Sequence, residues 1–258
     1  MRILMVGDIV GKPGRVCLRE NLPGIKAEFH VDFTVVNGEN AAAGFGINAQ
    51  VAEQVRLAGA DVVTTGNHVW DRREMAAEID SLDYVLRPAN YPPGTPGRFL
   101  TVIDMQGYKI AVVSLMGRVF MNTLDDPFRA MDDIIASLAD VTPNILVDFH
   151  AEATSEKQAM AWYLDGRVSA VVGTHTHTQT ADERVLPQGT AMISDIGMVG
   201  PRNSILGVEV ALILRKFITQ MPVKFEVADR PMIFNALLID IDEKSGKAKE
   251  IKRINREL

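Results

Sequence analysis

The chain has 258 residues, 27 basic and 33 acidic side chains, and a formal charge of −6. A chain of this length buries roughly 73% of its unfolded surface, so its core requires no structural metal, and Cys17, its one cysteine, excludes an internal disulfide. The acidic balance argues against a dedicated binder of extended duplex nucleic acid, which would carry a strong basic patch. The N-terminal run MRILMVGDIVGK is broken at Asp8 too early for a signal peptide. No apolar stretch reaches the ~20 residues that span a bilayer. With the scarcity of Cys, this leads to the expectation of a cytoplasmic protein with no membrane partner.

Short apolar runs that stop at glycine or polar residues read as buried strands ending in loops. In chain order they are Arg2–Val6, Phe33–Val36, Val62–Thr65, Ile110–Leu115, Ile145–Phe149, Val168–Val172 and Ala191–Ser194. Helical stretches lie between them. Asn48 is placed to cap a helix through Ala58. Pro127 fits the first turn of a helix through Leu138, with Phe128, Met131, Ile134, Ile135 and Leu138 on one face. Ser155 and Gln158 form a capping-box pattern before Ala159–Leu164. Ile205–Ile218 reads as a helix, although its Val residues leave a strand open. At the C-terminal end Val223–Val227, Ile233–Ile241 and Lys249–Ile254 read as strands, with Glu243–Lys247 as a hairpin turn. Alternating strands and helices predict an α/β fold with parallel sheet and a mixed or antiparallel C-terminal end. The Pro/Gly-rich stretch 88–98 reads as a loop, so one domain over residues 1–258 is expected.

Functional loops in such folds lie beyond the carboxyl ends of the strands. Asp8, Glu39, Asn40, Asn67, His68, His150, His175 and His177 all fall there, and they include four of the five histidines. Each alone has a plainer explanation as a turn, cap or packing residue. As a set they resemble a metal-ligand inventory. On an extended segment His175 and His177 would share one face and converge on one ion. Without clustered cysteines, thiolate zinc sites and iron–sulfur clusters are excluded. Mixed imidazole, carboxylate and amide ligation suits Fe, Mn, Zn, Co or Ni. The set is too large for one open ion and suits two that share a carboxylate and clamp a phosphate.

The order Gly7-Asp8, Gly38-Glu39-Asn40, Gly66-Asn67-His68, His150 and Gly173-Thr174-His175-Thr176-His177 resembles the calcineurin-like metallophosphoesterases. Asn-Gly-Glu-Asn-Ala, Gly-Asn-His-Val-Trp-Asp and Asp-Phe-His-Ala-Glu-Ala-Thr-Ser-Glu-Lys resemble its YmdB-type branch more closely, over nearly the full chain. The resemblance implies a metallophosphoesterase-like α/β/β/α sandwich with mixed sheets and flanking helices. Val10 stands where the wider pattern has a ligand His, Glu39 replaces a bridging Asp, and Asn40 is then placed to supply the lost ligand. The resemblance assigns Asp8, Glu39, Asn40 and His177 to one metal, and Glu39, Asn67, His150 and His175 to the other. The extra amide oxygen favours iron or manganese over zinc, cobalt or nickel.

The resemblance further implies hydrolysis of small phosphodiesters, with 2′,3′-cyclic nucleotides opened to 3′-nucleotides by a metal-bridging hydroxide. His68 would protonate the leaving oxygen, oriented by Asp71, which could equally cap the following helix. Arg118, Phe120 and Tyr91, in loops near strand ends, are candidate substrate contacts. Two other readings stay open: a nucleotide-sensing regulatory or scaffold protein with incidental hydrolysis, and a phosphomonoesterase or nuclease using the same two-metal site. A homo-oligomer through the apolar C-terminal strands also stays open.

Overall fold

A computed structural model describes residues 1–105 and 107–258. In chain order its elements are β1 (Arg2–Val6), β2 (Asp8–Ile9), α1 (Gly11–Phe29), β3 (Phe33–Asn37), α2 (Ala49–Leu57), β4 (Val62–Thr64), α3 (Met75–Glu78), β5 (Val85–Leu86), β6 (Leu100–Met105), β7 (Tyr108–Met116), α4 (Pro127–Leu138), β8 (Asn144–His150), α5 (Thr154–Tyr163), β9 (Ala170–Thr174), β10 (Arg184–Val185), β11 (Ala191–Ile193), β12 (Met198–Pro201), α6 (Val210–Thr219), β13 (Met232–Ile241) and β14 (Ala248–Glu257).

The strands form two mixed sheets. The first runs β2-β12-β13-β1-β3-β4-β5, with β14 also paired to β13. The second runs β10-β11-β9-β8-β7-β6. Side chains alternate between the faces of a strand, and that parity sorts the core into three layers. Ile3 and Met5 face Ile110, Val112 and Leu146 of the second sheet. Leu4 and Val6 face the other way, toward Leu18, Leu22 and Ile25 of α1 and Val51 and Val55 of α2. On the second sheet Val113, Val147 and Phe149 pack on Met131, Ile134 and Leu138 of α4 and Met160 of α5. The result is a helix–sheet–sheet–helix sandwich, as expected.

Several local expectations hold. Asn48 accepts a hydrogen bond from the Val51 amide at 3.0 Å and caps α2. Pro127 opens α4 behind the Asp126 cap. The antiparallel hairpin β13–β14 closes over Asp242, whose carboxylate accepts from the Ser245 amide at 3.0 Å. Three differ. Residues 223–227 form no strand; only Val227 bridges Val208, because this half-buried stretch is held to the turn before α6 by the Glu209 and Ala228 amides and not by a sheet ladder. The helix in 205–218 begins at Val210, since Ile205 and Val208 close a tight turn before it. In α5 the Ala153 carbonyl already accepts from the Glu156 and Lys157 amides, so Ser155 lies inside the first turn and caps nothing. Among the described residues no helix is long and apolar enough to cross a membrane.

Candidate metal centre

The parallel strands of both sheets end at the same rim of the sandwich. Asp8 and Glu39 follow β1 and β3 and are fully buried, and Asn40 is buried beside them. Asn67 and His68 follow β4; His150 ends β8; His175 and His177 follow β9. Gly66 allows this approach, since a Cβ there would lie 2.2 Å from His150 Cδ2 and 2.3 Å from Glu39 Oε2.

Two clusters form at this rim. In one, His150 Nε2 lies 3.0 Å from Asn67 Oδ1, 3.1 Å from Glu39 Oε1 and 2.9 Å from His175 Nδ1. In the other, His177 Nε2 lies 3.3 Å from Asn40 Oδ1 and 3.8 Å from Asp8 Oδ1. Glu39, His150 and His175 offer ligand atoms within 4.8 Å of one another. Asp8 Oδ1 and Glu39 Oε1 are buried without a hydrogen-bond partner; the approach of His150 to Glu39 is close but lacks hydrogen-bond direction. Unpartnered buried carboxylate oxygens are costly unless a cation faces them, so this donor set fits metal ions.

The outward nitrogens sharpen that conclusion. His177 Nδ1 faces the Leu206 carbonyl at 3.1 Å, which can only accept, so the proton is on Nδ1 and Nε2 is free. His175 Nε2 faces the Glu152 carboxylate at 3.1 Å, which leaves Nδ1 free. Thr174 spends its hydroxyl proton on Asp148 Oδ1 at 2.7 Å and so accepts from His150 Nδ1 at 2.9 Å, which frees Nε2. Each imidazole thus turns a lone pair toward the carboxylates, as metal-ligating histidines do when a polar partner fixes the tautomer. Without a cation the carboxylates hold a proton there instead. Burial opposes charge on His150, but Glu39 and Asp8 outweigh it and push its pKa up to about 9. Burial also opposes charge on Glu39, yet the facing His150 pulls it down to about 2. Burial, then the charge on His150, pushes His175 down to about 3. Burial raises Asp8 well above the carboxylate range, and Glu39 adds to this.

The expectation of an extended His-x-His segment fails. β9 ends at Thr174, and His175 and His177 adopt left-handed backbone (φ 96° and 60°) that sends them to different clusters. Such conformations cost about 1–3 kcal/mol each and persist only where the surroundings hold them. Here Asp195 accepts from the Thr176 amide at 3.0 Å and its hydroxyl at 2.7 Å, and is itself paired with Lys157 Nζ at 2.7 Å. Sequence reading missed Asp195, Lys157, Asp148, Thr174 and Glu152. Asp148 carried a signal: an acid inside an apolar strand, two residues before His150 and on the same face.

His68 lines a cavity of about 400 Å³ together with Glu39, Asn40, His175 and His177. Its Nδ1 lies 2.8 Å from Asp71 Oδ2. Arg118, Phe120 and Tyr91 are not among the residues lining it. The Arg118 guanidinium pairs with Asp126 at 3.0 Å, while its amide donates to Glu156 at 2.9 Å. Phe120 is 90% exposed. Tyr91 stacks edge-on with Trp70 and lines a separate hollow with Arg87 and Arg129.

Residues 4–254 match the family model described as YmdB-like protein. The chain belongs to the YmdB-like family. It is 50% identical over 254 residues to the 2′,3′-cyclic-nucleotide 2′-phosphodiesterase of Bacillus subtilis, covering 98% of this chain and 96% of that one. A crystal structure of a hypothetical protein from Thermus thermophilus superimposes with a TM-score of 0.94 at 42% identity, over 100% of this chain and 99% of the other. A crystal structure described as a novel phosphatase from Mycoplasma pneumoniae gives 0.94 at 30% identity, over 100% and 93%. The family assignment agrees with the YmdB-type metallophosphoesterase branch indicated by the Asn-Gly-Glu-Asn and Gly-Asn-His blocks, whose residues meet at this rim.

Proposed function

We propose that the chain is a metal-dependent phosphodiesterase that opens 2′,3′-cyclic nucleotides to 3′-nucleotides. The observation that carries this is the convergence of three imidazoles and two partnerless carboxylate oxygens at one rim of the sandwich, beside the cavity that Glu39, His175 and His177 line. The likeness to the Bacillus subtilis enzyme supports the choice of substrate. Asp8, Glu39, Asn40 and His177 would hold one ion, and Glu39, Asn67, His150 and His175 the other, with iron or manganese preferred by this N,O donor set. Bound ions would neutralise the phosphoryl oxygens and acidify water enough to supply a nucleophile at neutral pH.

The remaining work falls to the chain's own residues. Asp71 accepts from His68 Nδ1 and so orients the ring. As an imidazolium the ring can then give its Nε2 proton to the 2′-oxygen as the P–O2′ bond breaks and a hydroxide, formed when water gives up a proton to solvent, bonds to phosphorus, leaving the phosphate on the 3′-oxygen. The cytoplasm is the compartment in which we place this reaction.

The test is hydrolysis of adenosine 2′,3′-cyclic phosphate by manganese- or iron-loaded protein, with product identification by chromatography. Formation of the 3′-monophosphate, abolished by chelation, is expected. Exclusive 2′-monophosphate, or no turnover with metal bound, overturns the reading.

A further inference from the structure

The cavity beside the ligand cluster has two chemically different halves. Glu39, Asn40, His68, His175 and His177 form the polar one. The other is walled by Leu206, Val208, Ile213, Phe217, Phe225 and Val227, all from the strap that joins β12 to β13 and carries α6. Phe217 is 66% exposed and Leu206 49%, so apolar area faces solvent directly beside the metal-ligand residues. Burying it under a ligand would be favourable in proportion to area.

The opposite wall joins the two halves. The Phe45 ring stands edge-on to His68, with centroids 5.2 Å apart. Val10, at the position where the wider pattern has a ligand histidine, packs on the strap instead: a Cβ on Gly207 would come within 2.5 Å of Val10 Cγ1. The strap is also registered on the ligand cluster, because the Leu206 carbonyl accepts from His177 Nδ1. An apolar wall is therefore held at a fixed separation from the phosphate end. At about 400 Å³ the cavity is at the small end of ligand pockets, roughly 300–1,000 Å³; this suits one nucleotide and excludes a helix of nucleic acid. Lys216 and Glu226 are the polar groups on the strap side, with Lys216 Nζ 4.8 Å from the centre of the Phe225 ring. Lys216 thus covers one face of Phe225.

We infer that Phe217 and Phe225 form the subsite for the nucleobase and select nucleoside phosphodiesters over those without a base. The inference rests on the phosphodiesterase reading above. An aromatic ring stacked on a base contributes about 5- to 150-fold in affinity.

The experiment compares adenosine 2′,3′-cyclic phosphate with methyl ribofuranoside 2′,3′-cyclic phosphate, which keeps the reacting ring and lacks the base. Metal-loaded wild type, Phe217→Ala and Phe225→Ala are assayed, and adenosine 3′-phosphate binding is measured separately by calorimetry. Wild type is expected to prefer the nucleotide at least about 10-fold in kcat/KM, and each alanine variant to lose most of that preference through KM. Binding of adenosine 3′-phosphate should weaken in parallel. Phe217 is largely exposed, so its variant should fold, and circular dichroism checks this for both. Equal losses on both substrates, or an unchanged nucleotide KM in both variants, overturn the subsite while leaving the phosphodiesterase reading standing. Wild type inactive on both substrates overturns that reading and the subsite with it.

Discussion

The hydroxyl of Thr174 accepts from His150 Nδ1 at 2.9 Å while donating its own proton to Asp148. Asp148 also accepts from Asn37 at 3.0 Å and from the Thr64 hydroxyl, both on the other sheet. Outer partners of metal-ligating histidines are worth roughly 10- to 100-fold in metal affinity. Thr174→Val keeps the volume and removes this acceptor, so manganese affinity should fall by about that factor in equilibrium dialysis. An unchanged affinity would show that the ring needs no such partner.

His68 contacts the cavity but stands outside both ligand clusters. His68→Ala should bind metal as wild type does and lose about 10²–10⁴ in kcat, the usual range for a general acid. Asp71→Asn should retain more activity than His68→Ala, since it misorients the acid without removing it. Steady-state kinetics with metal content measured on the same samples checks both; loss of metal from His68→Ala would instead make it a ligand.

The Lys157–Asp195 pair is buried on both sides, with 3% and 1% exposure. Removing one partner from such a pair typically costs about 3–5 kcal/mol, because the other is left charged and unsolvated. Lys157→Met should show a loss of that order in urea denaturation, and Asp195→Asn a smaller one because the amide keeps a polar partner for Thr176. The double variant should be less destabilised than the sum of the two. Additive losses would mean that the pair is not coupled.

Asp182 gives the fold an acid-sensitive contact behind the same loop. Burial would raise its pKa, but hydrogen bonds from Ser194 and Thr180 outweigh this and hold it below the ordinary carboxylate range. A depressed folded-state value means that the stabilisation is present above the unfolded pKa of about 3.9 and is lost as pH falls through the folded one. Asp182→Asn should therefore lower Tm at neutral pH and converge with wild type in strong acid. A difference that persists unchanged to pH 2 counts against this linkage.

How much of this was legible in the chain depended on what kind of signal each residue carries. The strands announced themselves because β-branched runs stop at Gly7, Gly38, Gly66 and Gly173, where backbone and side chains approach too closely for a Cβ. The candidate ligand residues stood at their ends. The supporting groups were less visible. Lys157 and Asp195 lie 38 positions apart and meet only through the packing of α5 against the loop after β11. The strap was misread at 223–227 because alternation alone cannot tell a half-covered strand from a surface segment with one side on a cavity. Arg118 read as a candidate substrate contact from its loop alone, whereas its guanidinium is paired with Asp126.

Asp8, Glu39, Asn40 and Asn67 come from the first sheet, and His150, His175 and His177 from the second. An ion held by both Glu39 and His150 would therefore be a cross-link between the two halves of the sandwich, closing a loop of more than a hundred residues. Because such an ion would bind the folded arrangement and not the unfolded chain, its binding free energy would add to the stability of the fold, so the loaded protein should resist shear between its sheets and lose its metal and its fold in one cooperative step.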